Sequence, residues 1–231
     1  MKNTKRAIAV LVAVSMMIGC AIGGVMAWFI DETPAVTNTF TVGNVDIELY
    51  ESELNADGTL KENTKAYENS FKMIPGWTNN KDPKAVVSAG SEDCYLFVKV
   101  EPSANLGQYI SYNVDIYDAS SNSTGVWTPL EGVQNVYYMA FDSQNSDAVT
   151  CVKGVKGTEY PILGAGTLEG TAYQWGDNQV LVKPDVTKEM MDGLTQNNYP
   201  KLTFTAYAVQ LYETNNDAFT PAEAWAKIPT T

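Results

Sequence analysis

Histidine is absent from all 231 residues. That absence removes HExxH zinc proteases, Ser-His-Asp triads and Cys-His dyads together, because each needs an imidazole as ligand or base. An enzyme built from this chain would be left with carboxylate chemistry, which needs a positioned pair of acids that spacing along a sequence does not reveal. Charge is also sparse, at 18% of residues against about a quarter in average soluble domains. Basic residues are the scarcer sign. Lys2, Lys5 and Arg6 sit at the N-terminus and all 27 acidic residues follow Ile30, so beyond residue 27 the chain holds 12 basic against 27 acidic residues, net −15. Such a chain is repelled by nucleic acid and by anionic lipid, so nucleic-acid binding is set aside. The acidity reads first as a soluble extracellular surface. Ca²⁺ held by carboxylate clusters is the sharper alternative, without EF-hand-like spacing to support it; no other cofactor is indicated.

What the sequence does have is a long apolar opening. Met1–Arg6 is basic, and from Ala7 to Ile30 no charge occurs. Val25-Met26-Ala27 places small or medium residues at the −3 and −1 positions of a signal-peptide cleavage site, so the cut is expected between Ala27 and Trp28. An uncleaved membrane anchor is the competing reading, since about 20 apolar residues span a bilayer. A lipoprotein signal at Cys20 is a third, against which the apolar run continues well past that cysteine. Cleavage leaves 204 residues, enough for one sizeable core.

The remainder reads as short strands. In Thr39–Tyr50, Val45, Ile47 and Leu49 alternate with Asn44, Asp46 and Glu48, a half-buried strand with Gly43 as a bend. Cys94–Glu101 is nearly continuous and apolar, the pattern of a central strand. Further strands are expected at Phe71–Ile74, Lys84–Ser88, Tyr109–Tyr117, Asn135–Phe141, Val149–Val155, Tyr160–Leu163, Gln179–Val182 and Leu202–Leu211. Two short helices are expected. Val186–Leu194 is capped by Thr187. Pro221–Lys227 has Thr220 as cap, proline at the first helical position and Glu223 three residues past the cap. The pattern is that of a mainly β, antiparallel sandwich with jelly-roll or Greek-key connections, preceded by a signal peptide.

Several stretches, in order, resemble the TasA/camelysin family of secreted proteins with SipW-type signal peptides. The junction Gly23-Gly24-Val25-Met26-Ala27-Trp28-Phe29-Ile30-Asp31 is similar to that family's boundary. Thr39-Phe40-Thr41-Val42-Gly43-Asn44-Val45-Asp46-Ile47 is similar to its first strand, and Pro75-Gly76 with Lys81-Asp82-Pro83 to its Pro-Gly and Lys-Asp-Pro segments. Gly90–Tyr95 and Leu202–Gln210 resemble a subset of its members. The resemblance implies a jelly-roll domain (residues 40–231) exported by a Gram-positive bacterium into an extracellular matrix or onto the cell surface. There it would form biofilm fibres with itself or with related subunits, after processing by a signal peptidase. It further implies that residues 28–39 act as a donor strand, anchored here by Trp28, Phe29, Ile30 and Val36, that completes a neighbour's sheet. One branch of that family is described as a metallopeptidase; a chain without histidine departs from any His-based zinc site, so an enzyme is not expected. A monomeric binding module of the same fold is the alternative. An arm folded back on its own domain would favour that alternative, and a pocket with two facing carboxylates of shifted pKa would favour an enzyme.

Cys94 and Cys151 remain after cleavage. In an exported chain they read as a disulfide, worth roughly 3–4 kcal/mol for a loop of this length, or else as two buried free thiols. Trp77, Trp127, Trp175 and Trp225 read as core or edge packing, with a sugar-stacking platform as the alternative.

Overall fold

The computed structural model describes Ile30–Thr33 and residues 45–118, 125–144, 147, 149–214 and 217–229. The signal segment 1–27, the Ala27/Trp28 junction, Phe29, Val36 and residues 39–44 of the first alternating stretch lie outside the described residues. The strands run β1 Ile30–Thr33, β2 Ile47–Tyr50, β3 Thr78–Asn80, β4 Lys84–Val87, β5 Cys94–Pro102, β6 Ile110–Ser111, β7 Asn113–Val114, β8 Thr128–Pro129 and β9 Val136–Phe141. They continue as β10 Glu159–Pro161, β11 Leu163–Gly164, β12 Gly166–Thr167, β13 Gln174–Trp175, β14 Gln179–Val182, β15 Leu202–Gln210, β16 Tyr212–Thr214 and β17 Asp217–Ala218. The helices are α1 Leu106–Tyr109, α2 Lys188–Asp192 and α3 Pro221–Trp225.

The largest sheet has the order β1-β15-β5-β9-β8, and all of its pairings are antiparallel. β5 lies at its centre, as its unbroken apolar sequence predicts, because both of its faces are covered. Cys94, Leu96, Val98 and Val100 enter one core, while Tyr95 and Phe97 enter the other. The first core is closed by Ile47 of β2, Ala85 and Val87 of β4, Leu163 of β11 and Val180 of β14. The smaller sheets β10-β4-β2 and β3-β14-β6 thus form the second layer of a sandwich. Trp127 is fully buried here, and its indole N–H donates to the Pro161 carbonyl at 2.7 Å, which removes the cost of burying that donor. Each fully buried large apolar side chain contributes about 1.5–3 kcal/mol.

The opposite face of the large sheet is covered by α3. Its start follows the sequence signature closely: the Thr220 hydroxyl accepts from the Glu223 N–H, the Glu223 carboxylate accepts from the Thr220 N–H at 2.8 Å, and Pro221 needs no donor partner. The helix is then anchored by Trp225, whose ring lies 5.3 Å from Phe97 and 5.5 Å edge-on from Tyr207. In α2 the Thr187 side chain caps Met190 N–H, and Met190, Met191 and Leu194 pack against Tyr109, Val182 and Val186.

The structure departs from the sequence reading at several points. There are three short helices among the described residues rather than two. Of the expected Tyr109–Tyr117 strand, Tyr109 closes α1, where it and Leu106, three apart, are both buried, and the rest is split into β6 and β7. Phe71–Ile74 forms no strand; the ladder resumes at Thr78–Asn80, which pairs with β14. Val149–Val155 contributes an isolated bridge, Ala140 with Lys153, instead of a strand. Among the described residues no helix is long and apolar enough to cross a membrane.

Candidate assembly edge and the cavity beside it

β15 is paired with β5 along its whole length, Leu202 with Pro102 through Gln210 with Cys94. On its other side lies β1, in the register Ile30 with Val209, Asp31 with Ala208, Glu32 with Tyr207 and Thr33 with Ala206. Four residues of the expected donor arm are therefore the edge strand of their own sheet. Of the four arm anchors, Ile30 is in this strand. The sequence of β15 suits a strand flanked on both sides: Phe204, Ala206 and Ala208 enter the first core, and Tyr207 and Val209 the second.

Beside the first half of β15, where Leu202 and Phe204 face the β2 residue Leu49, a cavity of about 660 Å³ opens between the two layers. Phe71 and Met73, from the segment that forms no strand, also line it. Glu51, Asn69 and Lys81 supply polar groups to the same cavity.

These polar groups belong to a buried network that the Lys81-Asp82-Pro83 segment builds. Lys81 is 8% exposed and Asp82 2%, far less than such residues tolerate without partners. Lys81 Nζ pairs with Glu51 Oε1 and stands 5.2 Å and 5.3 Å from the ring centres of Phe71 and Phe204. The other Glu51 oxygen, Oε2, accepts from Asn69 Nδ2 at 3.0 Å, and the same amide donates to the Ser52 carbonyl. Asp82 clamps Ser52, accepting its backbone N–H at 2.9 Å and its hydroxyl at 2.6 Å. Pro83, which lacks a donor, immediately precedes β4, and its carbonyl accepts from Ile162 N–H.

Lys84 lies between Asp82 at 3.2 Å and Glu159 at 3.3 Å. Burial works against its charge, but hydrogen bonds to Asp82 and the fields of both carboxylates outweigh burial and hold its ammonium above the ordinary lysine range. The Tyr50 hydroxyl donates to Glu159 at 2.6 Å. Burial and then that bond push the phenol up, and the same bond, with Lys84, draws the Glu159 carboxyl down. β2 and β4 bring these groups together, with Tyr50 opposite Lys84 in the ladder.

The expected Cys94–Cys151 disulfide is not formed; both are free thiols. Cys94 points into the first core, whereas Cys151 packs against the second, so the β5 layer stands between them. Burial pushes the Cys94 thiol up to about 12 and the Cys151 thiol to about 11, which makes both poor nucleophiles. Of the four tryptophans considered as a platform, Trp127 and Trp175 are buried, Trp225 packs on the second core, and Trp77 is 63% exposed. Burial and then the nearby Asp177 raise the Asp115 carboxyl, but neither residue lines the cavity. Among the described residues no three His, Cys, Asp or Glu side chains are grouped to hold a metal ion.

No family model matches the chain, and neither a curated protein nor a solved structure matches it.

Proposed function

We propose that the chain is a secreted structural subunit that assembles head to tail into extracellular matrix fibres, each N-terminal arm adding a strand to the next subunit's sheet. The observation that supports this reading is the β1–β15 register, which the arm of a neighbour fits as well as the chain's own. Residues of the arm are complementary to the β15 edge, and main-chain pairing of this kind is indifferent to which chain supplies the strand. The same register supplied from a neighbour is a heterologous contact that does not close on itself, so it propagates as a filament. It also occupies an edge that would otherwise present unpaired N–H and C=O groups. A donor freed by removal of the signal would delay assembly until export.

The same strand, lying on its own β15, favours a second reading: a self-sufficient monomeric binding module at the cell surface or in the medium. Electron microscopy on the chain beginning at Trp28, beside a chain beginning at Phe40, separates the two. Filaments from the first and none from the second support donor-strand assembly. Monomers from both, across pH and concentration, overturn the fibre reading and leave the module.

A further inference from the structure

We propose that Lys81 and Asn69 condense into an intramolecular side-chain amide, with Glu51 as the proton-transfer group between them. Glu51 holds both partners at once: Lys81 Nζ on Oε1 and Asn69 Nδ2 on Oε2. An amine, a carboxamide and a bridging carboxylate are the three groups that such a condensation needs. The amine end is enclosed by the Phe71 and Phe204 rings, and Lys81 and Glu51 are each 8% exposed.

The step balances as follows. Lys81 passes a proton to Glu51 across their hydrogen bond, and the free amine attacks Asn69 Cγ. A new C–N bond forms and the carbon becomes tetrahedral. Glu51 returns the proton to Nδ2, the Cγ–Nδ2 bond breaks, and ammonia leaves through the cavity that both residues line. Glu51 takes the remaining amine proton and delivers it to the departing ammonia. The net change is one ammonium ion released, one amide formed, and Glu51 restored; nothing is oxidised or reduced. The bond would fasten the long β2–β3 connection to the β3–β4 connection, beside the cavity that both line. The inference does not rest on fibre assembly.

The test is intact-mass measurement and tryptic mapping of the purified, folded full chain. The expected mass is lower than the sequence mass by one ammonia, about 17 Da. Residues 66–72 and 73–84 are expected as one joined species, with no cleavage after Lys81. In Glu51→Gln residues 66–72 and 73–81 are expected as separate peptides at full mass, with cleavage after Lys81. Separate peptides at full mass from the unaltered chain overturn the proposal, and that measurement decides even where Glu51→Gln fails to fold. A loss of water with Lys81 joined to Glu51 overturns the assignment of Asn69, and a joined species in Glu51→Gln overturns the role of Glu51.

Discussion

Removing the carboxylate of Asp82 tests whether the buried network holds the two layers in register. In Asp82→Ala the backbone N–H and hydroxyl of Ser52, bonded to Asp82 at 2.9 Å and 2.6 Å, lose their acceptor. Ser52 is 6% exposed and Asp82 2%, so water does not replace it without opening the sandwich. Hydrogen bonds to a charged group are worth about 1.5–3 kcal/mol each, and leaving buried partners unsatisfied brings the expected loss to about 3–5 kcal/mol. Lys84 is not left unpaired, because Glu159 still faces it at 3.3 Å. In Asp82→Asn the amide oxygen can still accept the Ser52 N–H, but the NH₂ cannot accept the hydroxyl proton. The expected loss is then about 1–3 kcal/mol. Urea unfolding followed by tryptophan fluorescence should give the order wild type, Asp82→Asn, Asp82→Ala. A drop in Tm of roughly 6–20 °C should accompany the alanine variant, at 2–4 °C per kcal/mol for a domain of this size. An Asp82→Ala chain within about 1 kcal/mol of wild type, or an asparagine variant less stable than the alanine one, would refute the clamp.

The acid limb of stability depends on Asp93. Burial opposes its charge, but Lys156 at 2.8 Å and the Ser143 hydroxyl and N–H outweigh burial and draw the carboxyl below its usual value. A depressed folded pKa contributes stability that is full above the unfolded value of about 4 and is lost as pH falls through the lower folded value. Asp93→Asn should therefore flatten the decline of stability below pH ~4 while lowering the neutral plateau; an unchanged acid limb in urea titrations at several pH values would contradict the assignment. For the cysteines, thiol titration of the folded, non-reduced chain should find Cys151 slow and Cys94 protected until unfolding, with both titrating once unfolded. A mass deficit of two hydrogens that a thiol reductant restores, mapped to a peptide joining Cys94 and Cys151, would overturn their placement on opposite faces.

How much of this was legible in the sequence depended on where the deciding partner lay. The central position of β5 could be read because both faces of Cys94–Glu101 are apolar, and α3 because its capping box is local. α1 could not: it is four residues long and Asn105 makes no side-chain cap bond. β3, Thr-Asn-Asn, has no strand propensity of its own, and its form is imposed by pairing with β14. The Lys81-Asp82-Pro83 segment stood out in the sequence, but its chemistry did not. The partners Glu51 and Ser52 lie about thirty residues earlier and arrive through the β2–β4 ladder. The cysteine pair fails as a disulfide on parity: Cys94 and its neighbour Tyr95 enter different cores, and no count along the chain says on which side Cys151 will pack.

Whether the arm closes on its own sheet or on a neighbour's cannot be decided by β1 itself. The four residue pairs of the β1–β15 register are the same in either arrangement, so exchange neither gains nor loses ladder hydrogen bonds. What differs is connectivity. In the closed form β1 is joined to the domain through residues 34–44, and a linker of that length sets an effective concentration of order millimolar. A neighbour's strand at lower concentration loses that competition unless it brings contacts that the tethered strand does not make. Those contacts must come from arm residues outside β1, of which Trp28, Phe29 and Val36 are the apolar ones. If the chain assembles as proposed, the preference for a neighbour rests on what those three side chains meet there, and the backbone pairing supplies the register alone.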